Sequence, residues 1–430
     1  MKRKRSPRLA VRPRSPLAAV ILAAGRGARL KSDGPKALEP ICGRPMVEFL
    51  LNAARAFGAR KTVVVAGHRI GEVRNFLNGS TALVHQKKQL GSGHAVSQAR
   101  AALSGFDGSV LVLYCDTPLV TAKTLGELVA DHGRHGTDCT LLAVESENPL
   151  GYGRIQRAAD GSVRKIIEEN DASAEEKKIR EINVGCYVFK AAPLFRALGE
   201  VSVNAAKHEY YLTDAVGILA KNGKVRAVVA SDREETLGVN TPSDLVRIEA
   251  MMEQKILNRH IENGVRIRDP KTTWIDEGVV IGAGTVVLPH VVIEEGSVIG
   301  KNCVIGPFAR VRGGSRIGDG SVIGNFVEVT RSVIGKKTLV KHLSYVGDAA
   351  IGSSVNIGAG TITANYDGRK KHKTVIKDGA EIGSGTVLVA PVTVGRSAKT
   401  GAGAVVTKGK NVPDRVVVVG VPARKLKVRS

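Results

Sequence analysis

The spacing of apolar residues divides the chain into two regions with different periods. Residues 17 to about 240 alternate short apolar runs with polar, helix-like segments, which is typical of a β-sheet flanked by α-helices. From Ile275 an Ile or Val recurs at every sixth position, in unbroken register through residue 322. Neither an amphipathic helix nor an alternating strand has a period of six. The second region is therefore predicted to be a solenoid.

The pattern also delimits individual elements of the first region. Almost wholly apolar runs predict buried parallel strands at 17–24, Lys61–Ala66 and Ser109–Tyr114. Segments 46–57 and 95–103 have the composition and spacing of helices. These elements together predict an α/β domain.

A helix is predicted to connect the two regions. Thr241 can cap it, Pro242 suits its first turn, and Asp244 completes a start that resembles a capping box. Apolar residues then recur at roughly helical spacing until Gly264 ends the helix. The expected organisation is a basic tail at 1–16, an α/β domain at 17–240, a linker helix at 241–264 and a solenoid domain at 265–430.

Three hexads of the second region can close one triangular coil. Their Ile and Val residues would stack inward, while Gly and polar residues turn the corners. The register breaks at residues 363–374 and then resumes. We therefore expect an extruded loop at that break.

A glycine-rich segment follows the first predicted strand. It reads Leu22-Ala23-Ala24-Gly25-Arg26-Gly27-Ala28-Arg29-Leu30, followed by Pro35-Lys36. Gly25 and Gly27 let the backbone approach an anion, while Arg29 and Lys36 add positive charge. The spacing matches neither the dinucleotide-binding fingerprint nor the P-loop. Because ligands bind at the carboxyl ends of such strands, the segment predicts a nucleotide phosphate site.

Composition and charge narrow the possible functions. The chain has 430 residues, enough for two or three domains, and no apolar run reaches the length of a membrane-spanning helix. Its net charge of +24 favours anionic ligands such as nucleotides and coenzyme A. Aromatic residues are only 4% of the chain and are not interleaved with the basic runs, so specific nucleic-acid recognition is unsupported.

The amino-terminal tail and the cysteines bear on cellular location. Residues 1–16 carry seven Lys or Arg and precede an apolar run, as in a secretory signal, but that run is the strand leading to the glycine-rich segment. We predict a disordered basic tail instead.

The five cysteines are scattered and never form a Cys-x-x-Cys pair, which argues against a disulfide framework and structural zinc. A reducing compartment, the cytoplasm, is expected.

The glycine-rich segment with Pro35-Lys36 resembles the signature of sugar nucleotidyltransferases. Further motifs extend the resemblance along nearly the whole chain to one family, the bifunctional N-acetylglucosamine-1-phosphate uridyltransferase/glucosamine-1-phosphate N-acetyltransferases. The matching segments of the first region are 86–95, 114–119, 151–155, 181–183, 209–214 and 238–240. Those of the second region are 306–312, 325–328, 342–348 and 356–368.

For the first region the resemblance implies a Rossmann-like nucleotidyltransferase domain that uses UTP. Lys36 and Arg29 would neutralise phosphate charge, and Asp116 and Asn240 would hold Mg²⁺. The residues implied to contact UTP or its product are Leu22, Ala23, Ala24, Gly25, Lys36, Gln86, Gln89, Gly91, Ser92 and Asn240. Those implied to receive the sugar are Gly153, Glu168 and Asn183.

For the second region the resemblance implies a left-handed parallel β-helix that transfers an acetyl group from acetyl-CoA. His342 would be the general base, a task that suits imidazole because its ordinary pKa lies near neutrality. Arg312 would bind the sugar phosphate. The other implied substrate residues are Tyr345, Asn356, Asn365, Tyr366 and Lys371, and those lining the coenzyme are Ala359, Ser384 and Ala402. A homotrimer is implied, since the family builds each acetyl site from neighbouring subunits.

The chain departs from the family pattern at three positions. Thr330 stands where the family usually has a phosphate-binding lysine, with Arg331 next to it. Gly420 stands where the family offers an arginine to coenzyme A, so Arg424 or Lys425 would have to replace it. Cys115 occupies a position that is usually glycine.

We therefore expect a bifunctional enzyme that acetylates glucosamine 1-phosphate and then transfers uridylyl from UTP to N-acetylglucosamine 1-phosphate, releasing pyrophosphate. The departures at Thr330 and Gly420 keep one alternative open, a monofunctional sugar-1-phosphate nucleotidyltransferase whose β-helix is not catalytic. A second alternative is a non-catalytic regulatory or nucleic-acid-binding subunit that uses the fold of the first region and the basic tails. It predicts no magnesium-dependent release of pyrophosphate.

Overall fold

The computed structural model describes residues 15–205 and 207–426. The basic tail predicted over residues 1–16 lies outside the described residues, apart from Ser15 and Pro16. The chain divides into two compact units, Met1–Ile248 and Glu249–Ser430. None of the helices in the described ranges combines the length and the apolar character needed to span a membrane.

The first unit is built from short strands and helices that alternate along the chain. Its strands are β1 Leu17–Ala23, β2 Pro40–Ile41, β3 Arg44–Pro45, β4 Lys61–Ala66, β5 Ala82–His85, β6 Ser109–Tyr114, β7 Cys139–Glu145, β8 Arg154–Arg157, β9 Val163–Ile167, β10 Glu181–Lys190 and β11 Val225–Val229. Its helices are α1 Met46–Ala56, α2 Ile70–Leu77, α3 Ser92–Gln98, α4 Ala122–His135, α5 Ala191–Glu200 and α6 Leu212–Asn222. Short 3₁₀ turns lie at Ala28–Leu30, Lys36–Leu38, Glu176–Lys178 and Glu234–Thr236.

The main sheet has the order β11-β7-β10-β6-β1-β4-β5, with the β8–β9 hairpin beside β10. β1 is parallel to both of its neighbours, β4 and β6, whereas β10 is antiparallel to both of its own. All seven residues of β1 are buried, as an apolar run covered on both faces requires. The strands predicted at Lys61–Ala66 and Ser109–Tyr114 have those bounds, while the helix predicted at 95–103 begins earlier, at Ser92, and ends earlier, at Gln98.

Helices cover both faces of this sheet. Leu50 of α1 and Leu125 of α4 pack against one face, where Leu111 belongs to the same core cluster. Val96 of α3 and Leu194 of α5 pack against the other face, with α6 beside them. Because both faces are closed, the carboxyl ends of the parallel strands form the accessible edge.

The connecting helix α7 spans Pro242–Glu262 and begins with the predicted capping box. The Thr241 hydroxyl accepts a hydrogen bond from the Asp244 amide at 3.2 Å, and the Asp244 carboxylate accepts one from the Thr241 amide at 2.8 Å. These reciprocal bonds satisfy two amides that the first turn of a helix otherwise leaves unpaired. The division between the two units falls inside α7.

The second unit continues with β12–β36, whose strands form three sheets. The first sheet contains β12 Arg266–Ile267, β15 Val286–Val287, β18 Val304–Ile305, β21 Val322–Asn325, β24 Leu339–His342, β27 Asn356–Ile357, β30 Glu381–Ile382, β33 Lys399–Thr400, β35 Val417–Val419 and β36 Arg424–Lys425. The second contains β13 Trp274–Ile275, β16 Val292–Ile293, β19 Arg310–Val311, β22 Glu328–Thr330, β25 Tyr345–Gly347, β28 Ile362–Ala364, β31 Val387–Val389 and β34 Val405–Val406. The third contains β14 Val280–Ile281, β17 Val298–Ile299, β20 Arg316–Ile317, β23 Val333–Ile334, β26 Ala349–Ile351, β29 Thr374–Ile376 and β32 Val392–Val394.

From β12 to β34 consecutive strands visit the three sheets in turn, so each coil adds one strand to each sheet, and β35 and β36 then extend the first sheet alone. Ile305 pairs with Ile323 one coil later, and both side chains are fully buried. Two coils are one residue shorter, since Ile317 pairs with Ile334 and Ile334 with Ile351. The sequence period of six is therefore confirmed up to residue 322, and beyond it the register slips without disturbing the inward column.

The predicted break in the hexads is an extruded loop between β28 and β29. Residues 365–373 leave the coil, and Tyr366 and Lys371 pair across the loop in an isolated antiparallel bridge. Ile351 and Ile376 are nevertheless paired in adjacent strands of the third sheet. The insertion therefore changes the outline of one coil and leaves its stacking intact.

Ile334 and Val333 test whether the inward column stabilises the second unit. Ile334 is 2% exposed, whereas its neighbour Val333 is 52% exposed. We expect Ile334→Ala to lower the free energy of unfolding by about 2–5 kcal/mol, because it removes buried methyl groups and leaves a cavity. Val333→Ala should cost less than about 1 kcal/mol. Urea denaturation monitored at Trp274 measures both, and equal losses would contradict the inward stacking.

Candidate functional site

A cleft of about 510 Å³ opens at the carboxyl ends of β1 and β6. Most of the residues predicted for the nucleotide site line it, namely Leu22, Ala24, Gly25, Arg29, Lys36, Gln86, Gln89, Gly91, Ser92, Asp116 and Asn240. Ala23 is buried within β1 and does not belong to the lining. Gly27, predicted to let the backbone approach an anion, also belongs to the lining, together with residues to which the sequence assigned no role, namely Ala28, Ala95, Tyr114, Cys115 and Glu209.

The glycine-rich segment turns sharply beside the aliphatic part of Lys36. Gly27 has φ 64°, and a Cβ placed on it would lie 2.9 Å from Lys36 Cβ. A larger residue would therefore displace the lysine as well as strain the turn. A Cβ on Gly25 would meet no atom within 4 Å, so the backbone there borders open space. Both glycines thus fit a turn that accommodates a ligand.

Two cations and two oxygen ligands converge on the floor of the cleft. Lys36 Nζ lies 2.6 Å from Asp116 Oδ2 and 3.4 Å from Asn240 Oδ1. Arg29 donates from Nη2 to the same Asn240 oxygen at 3.2 Å. Residues from three distant parts of the chain are brought together here. The two cations suit a phosphate group. The carboxylate and amide oxygens suit a hard metal cation.

The opposite wall of the cleft is fixed by Gln86, which is buried. Its Nε2 donates to the Gly91 carbonyl at 3.1 Å and lies 2.9 Å from His94 Nδ1. Burial lowers the pKa of His94, which keeps the imidazole neutral and able to accept this bond. Gly91 has φ 93°, and its Cβ would lie 2.6 Å from the Tyr210 carbonyl oxygen. Only glycine fits this contact.

The three residues predicted to receive the sugar form a second cluster. The Asn183 amide donates to the Gly153 carbonyl at 2.9 Å, and a Cβ on Gly153 would lie 3.7 Å from Glu168 Oε2. Burial raises the pKa of Glu168, whose carboxylate accepts a hydrogen bond from Thr213 at 2.8 Å. Tyr114 connects the cluster to the cleft, because it lines the cleft and interacts electrostatically with Glu168.

In the second unit the catalytic candidate His342 is exposed and oriented by one neighbour. Its Nδ1 lies 2.8 Å from Asn325 Oδ1, and the two residues are paired in adjacent strands β24 and β21. An amide oxygen only accepts, so Nδ1 carries the proton and Nε2 keeps a free lone pair. The sequence assigned no role to Asn325, although it stands one shortened coil before His342.

Residues predicted to line the coenzyme stack above His342 along one corner of the coil. The Gly360 amide next to Ala359 lies 3.4 Å from the His342 carbonyl oxygen. In the coils that follow, Gly385 donates to the Ala359 carbonyl at 2.7 Å and Gly403 to the Ser384 carbonyl at 2.8 Å. Ala402 immediately precedes Gly403. This column of small residues, Ala359, Ser384 and Ala402, leads away from the imidazole.

A second polar network joins Tyr345 and Asn365. Asn365 Nδ2 lies 3.4 Å from the Tyr345 hydroxyl oxygen and 2.5 Å from Asp348 Oδ2. Arg331 binds both oxygens of Asp348, at 2.7 and 2.8 Å, and also donates to the Thr330 hydroxyl at 3.1 Å. Thr330 itself is buried. The guanidinium of Arg331 therefore lies beside Thr330, the position where the family usually has lysine.

The remaining acetyl-site candidates lie in separate places. Arg312 donates to Glu328 at 3.2 Å and is 41% exposed, while Asn356 is exposed on β27. Tyr366 and Lys371 face each other across the extruded loop. Within the part of the chain that the structure describes, no hydrogen bond or ion pair joins these side chains to His342. The residues predicted for acetyl transfer therefore lie in several separate groups within one chain.

Two family models match the chain. The MobA-like NTP transferase domain matches residues 19–183, and six repeats of the bacterial transferase hexapeptide match residues 296–331. The first match includes the residues that line the cleft apart from Glu209 and Asn240, and the second covers coils next to the one that carries His342. With the three stacked parallel sheets, the hexapeptide match identifies the second unit as a left-handed β-helix.

Several curated relatives resemble the chain over almost its entire length. The bifunctional protein GlmU of Acetivibrio thermocellus is 42% identical over 96% of this chain and 96% of its own. Those of Streptococcus pyogenes and Caldanaerobacter subterraneus are each 42% identical over 94% of this chain. A solved structure of UDP-glucose pyrophosphorylase complexed with UDP-glucose covers 56% of this chain at 18% identity and a TM-score of 0.47, too weak a likeness to bear on function.

Cys115 should be inert despite its place in the cleft. Burial, and next the neighbouring Asp116 carboxylate, raise the pKa of its thiol to about 12, so the reactive thiolate is scarce at neutral pH. We expect iodoacetamide at pH 8 to alkylate Cys115 at least about 100-fold more slowly in the folded protein than in urea. Peptide mass spectrometry measures this ratio, and rapid native labelling of Cys115 would contradict its burial.

Proposed function

The chain belongs to the bifunctional GlmU family, and on that premise we propose how its two units catalyse consecutive steps of UDP-N-acetylglucosamine synthesis. The second unit acetylates glucosamine 1-phosphate. The first unit then joins the resulting N-acetylglucosamine 1-phosphate to a uridylyl group from UTP. The observation that carries the assignment of the first site is the position of Lys36 between Asp116 and Asn240 at the edge of a parallel sheet.

In uridylyl transfer a phosphate oxygen of the sugar phosphate attacks the α-phosphorus of UTP. A phosphorus–oxygen bond forms in line with the bond that breaks, and pyrophosphate leaves. Both reactants are anionic, so the reaction needs positive charge more than it needs a protein nucleophile. Lys36 and Arg29 supply fixed cations, and the backbone of the glycine-rich segment borders the phosphates. Gln86, Gln89, Gly91 and Ser92 are proposed to hold the base and ribose.

We propose that Asp116 and Asn240 hold Mg²⁺. The donor set fits, because both side chains offer hard oxygen atoms and both already lie near one cation, the Lys36 ammonium. No group of three or more His, Cys, Asp or Glu among the described residues is arranged to hold a metal, so further ligands would come from phosphate and water. When bound, the ion neutralises phosphate charge.

The sugar is proposed to bind beside Gly153, Glu168 and Asn183. A partly buried carboxylate is a strong acceptor for sugar hydroxyl groups. The Asn183 side chain is itself fixed, because it donates to the Tyr187 hydroxyl at 2.6 Å and accepts from the Gly185 amide at 3.2 Å. These bonds present the sugar with a preformed polar surface.

In acetyl transfer the amine of glucosamine 1-phosphate attacks the thioester carbonyl of acetyl-CoA. A carbon–nitrogen bond forms, the carbon–sulfur bond breaks, and the thiolate of coenzyme A leaves. We propose that His342 Nε2 takes the proton from the amine and returns it to the leaving sulfur. Asn325 holds the imidazole in the tautomer that this task requires.

The other acetyl-site assignments follow from the same membership. Arg312 is proposed to bind the sugar phosphate, with Tyr345, Asn356, Asn365, Tyr366 and Lys371 around the substrate. Ala359, Ser384 and Ala402 are proposed to line the coenzyme, since small residues leave room for it along the corner. A homotrimer would bring the separated groups of neighbouring chains together. The five free, buried cysteines suit a reducing compartment such as the cytoplasm.

Substituting one residue in each unit tests the two activities separately. We expect Lys36→Ala to lower kcat/KM for uridylyl transfer by about 10²- to 10⁴-fold, because it removes a fixed cation from the phosphates. Acetyl transfer should be unchanged. His342→Ala should have the reverse effect. Pyrophosphate release and coenzyme A thiol release measure the two reactions, and equal damage to both by either change would contradict independent sites.

Asn325→Ala tests the orientation of the general base. Without the Asn325 oxygen the imidazole can rotate and adopt the other tautomer, so we expect kcat for acetyl transfer to fall about 10- to 100-fold. Asn325→Asp keeps an acceptor at the same place and should retain more activity than Asn325→Ala. If both variants equal the wild type, His342 does not depend on this bond.

A further inference from the structure

The extruded loop at 365–373 carries a carboxylate–imidazole pair between its two sides. Asp367 Oδ2 lies 2.5 Å from His372 Nε2, and the His372 side chain is only 17% exposed. Asp367 Oδ1 accepts hydrogen bonds from the backbone amides of Arg369 and Lys370, at 3.0 and 2.9 Å. Lys408 Nζ lies 3.7 Å from the same carboxylate. The Asp367 carboxylate thus contacts both sides of the loop and a lysine outside it.

Backbone hydrogen bonds close the loop around this pair. The His372 amide donates to the Asn365 carbonyl at 2.7 Å, and the Asp367 amide donates to the Lys370 carbonyl at 3.2 Å. The Tyr366 hydroxyl donates to the Gly368 carbonyl at 2.8 Å. Each member of the pair is therefore next in sequence to one member of the bridge between Tyr366 and Lys371.

We propose that Asp367 and His372 form a clasp that positions Tyr366 and Lys371 to bind substrate for acetyl transfer. The proposal rests on the acetyltransferase function given above. His372 acts through its neighbours and is a positioning residue. Its partner Asp367 is strongly held in the ionised form, since the Lys370 amide and then His372 keep the pKa of the carboxyl well below its usual range.

The charge of the loop explains why a clasp is needed. Arg369, Lys370, Lys371 and Lys373 stand within five consecutive positions and repel one another. A carboxylate between the two sides offsets this repulsion and supports the backbone hydrogen bonds that join them. Asp367 is the acidic residue of this loop. Without His372 the carboxylate would keep its bonds to the near side of the turn and lose the connection to the far side.

Loss of the clasp should therefore appear in substrate binding rather than in the chemical step. If only a fraction of molecules has the binding-competent loop, the apparent dissociation constant rises by the inverse of that fraction. Once substrate is bound, His342 performs the same proton transfer as before. We expect His372→Leu to raise KM for glucosamine 1-phosphate about tenfold, with kcat within twofold of the wild type.

Two further variants separate positioning from general stability. His372→Gln places an amide Nε2 donor within reach of Asp367 and should restore KM to within about threefold of the wild type. His290→Leu makes the same substitution at another position of the β-helix, where the ring stacks on Phe308, and should leave KM unchanged. A fall in kcat with KM unchanged in His372→Leu would overturn the proposal, as would a His372→Gln variant no better than His372→Leu.

Limited trypsin digestion of the full chain gives a readout that does not depend on activity. The loop offers four tryptic sites, after Arg369, Lys370, Lys371 and Lys373. We expect cleavage within 365–373 to be at least fivefold faster in His372→Leu than in the wild type, and near the wild-type rate in His372→Gln. Equal rates in His372→Leu and the wild type would overturn the clasp. A wild-type chain that releases no coenzyme A would refute the acetyl function while leaving this comparison informative.

Discussion

Parallel pairing of strands in strict register is the constraint on which both sites depend. In the first unit it brings the ends of β1 and β6 to the same edge, so that Lys36 and Asp116 meet although 80 positions separate them. In the second unit it places residues one coil apart directly above each other, which is how Asn325 reaches His342. Each site is a consequence of backbone alignment before any ligand is considered.

The two sites solve different electrostatic problems with this alignment. The first must bring two phosphorylated molecules together, and it does so by collecting cations where the buried strands end. The second must remove a proton from a nucleophile, and it needs an uncharged imidazole that is held in one orientation. An exposed position on a coil suits the second task. There His342 is held by Asn325 through one ring nitrogen, while the other ring nitrogen is left for a substrate.

Much of this arrangement could be predicted from local sequence. The apolar runs locate β4 and β6 to the residue, and the period of six identifies the coils. The contacts that depend on distant parts of the chain could not be predicted in this way. The sequence gives no sign that the Cys115 thiol is buried. It also does not reveal that Asn325 faces His342, because one shortened coil between them changes the spacing from eighteen to seventeen. The site residues taken from the family stay predictions.

The contacts around Thr330 show what replaces the lysine that the family usually has at this position. A threonine hydroxyl in that buried place carries no charge, but the adjacent Arg331 extends back to it while binding Asp348. The guanidinium is thereby committed to a carboxylate, which leaves it a weaker partner for a substrate phosphate than an unpaired lysine would be. Arg312, which we propose to bind the sugar phosphate, is likewise paired with a carboxylate, that of Glu328.

The stacking of coils has one more consequence, for the way the second unit comes apart. Each coil touches only the one before it and the one after it, so disorder enters at the two ends and advances inward step by step. β24 is the fifth of ten strands in its sheet, which puts His342 near the midpoint of the stack. Partial unfolding would therefore disorder the terminal coils first and reach His342, the proposed general base, last.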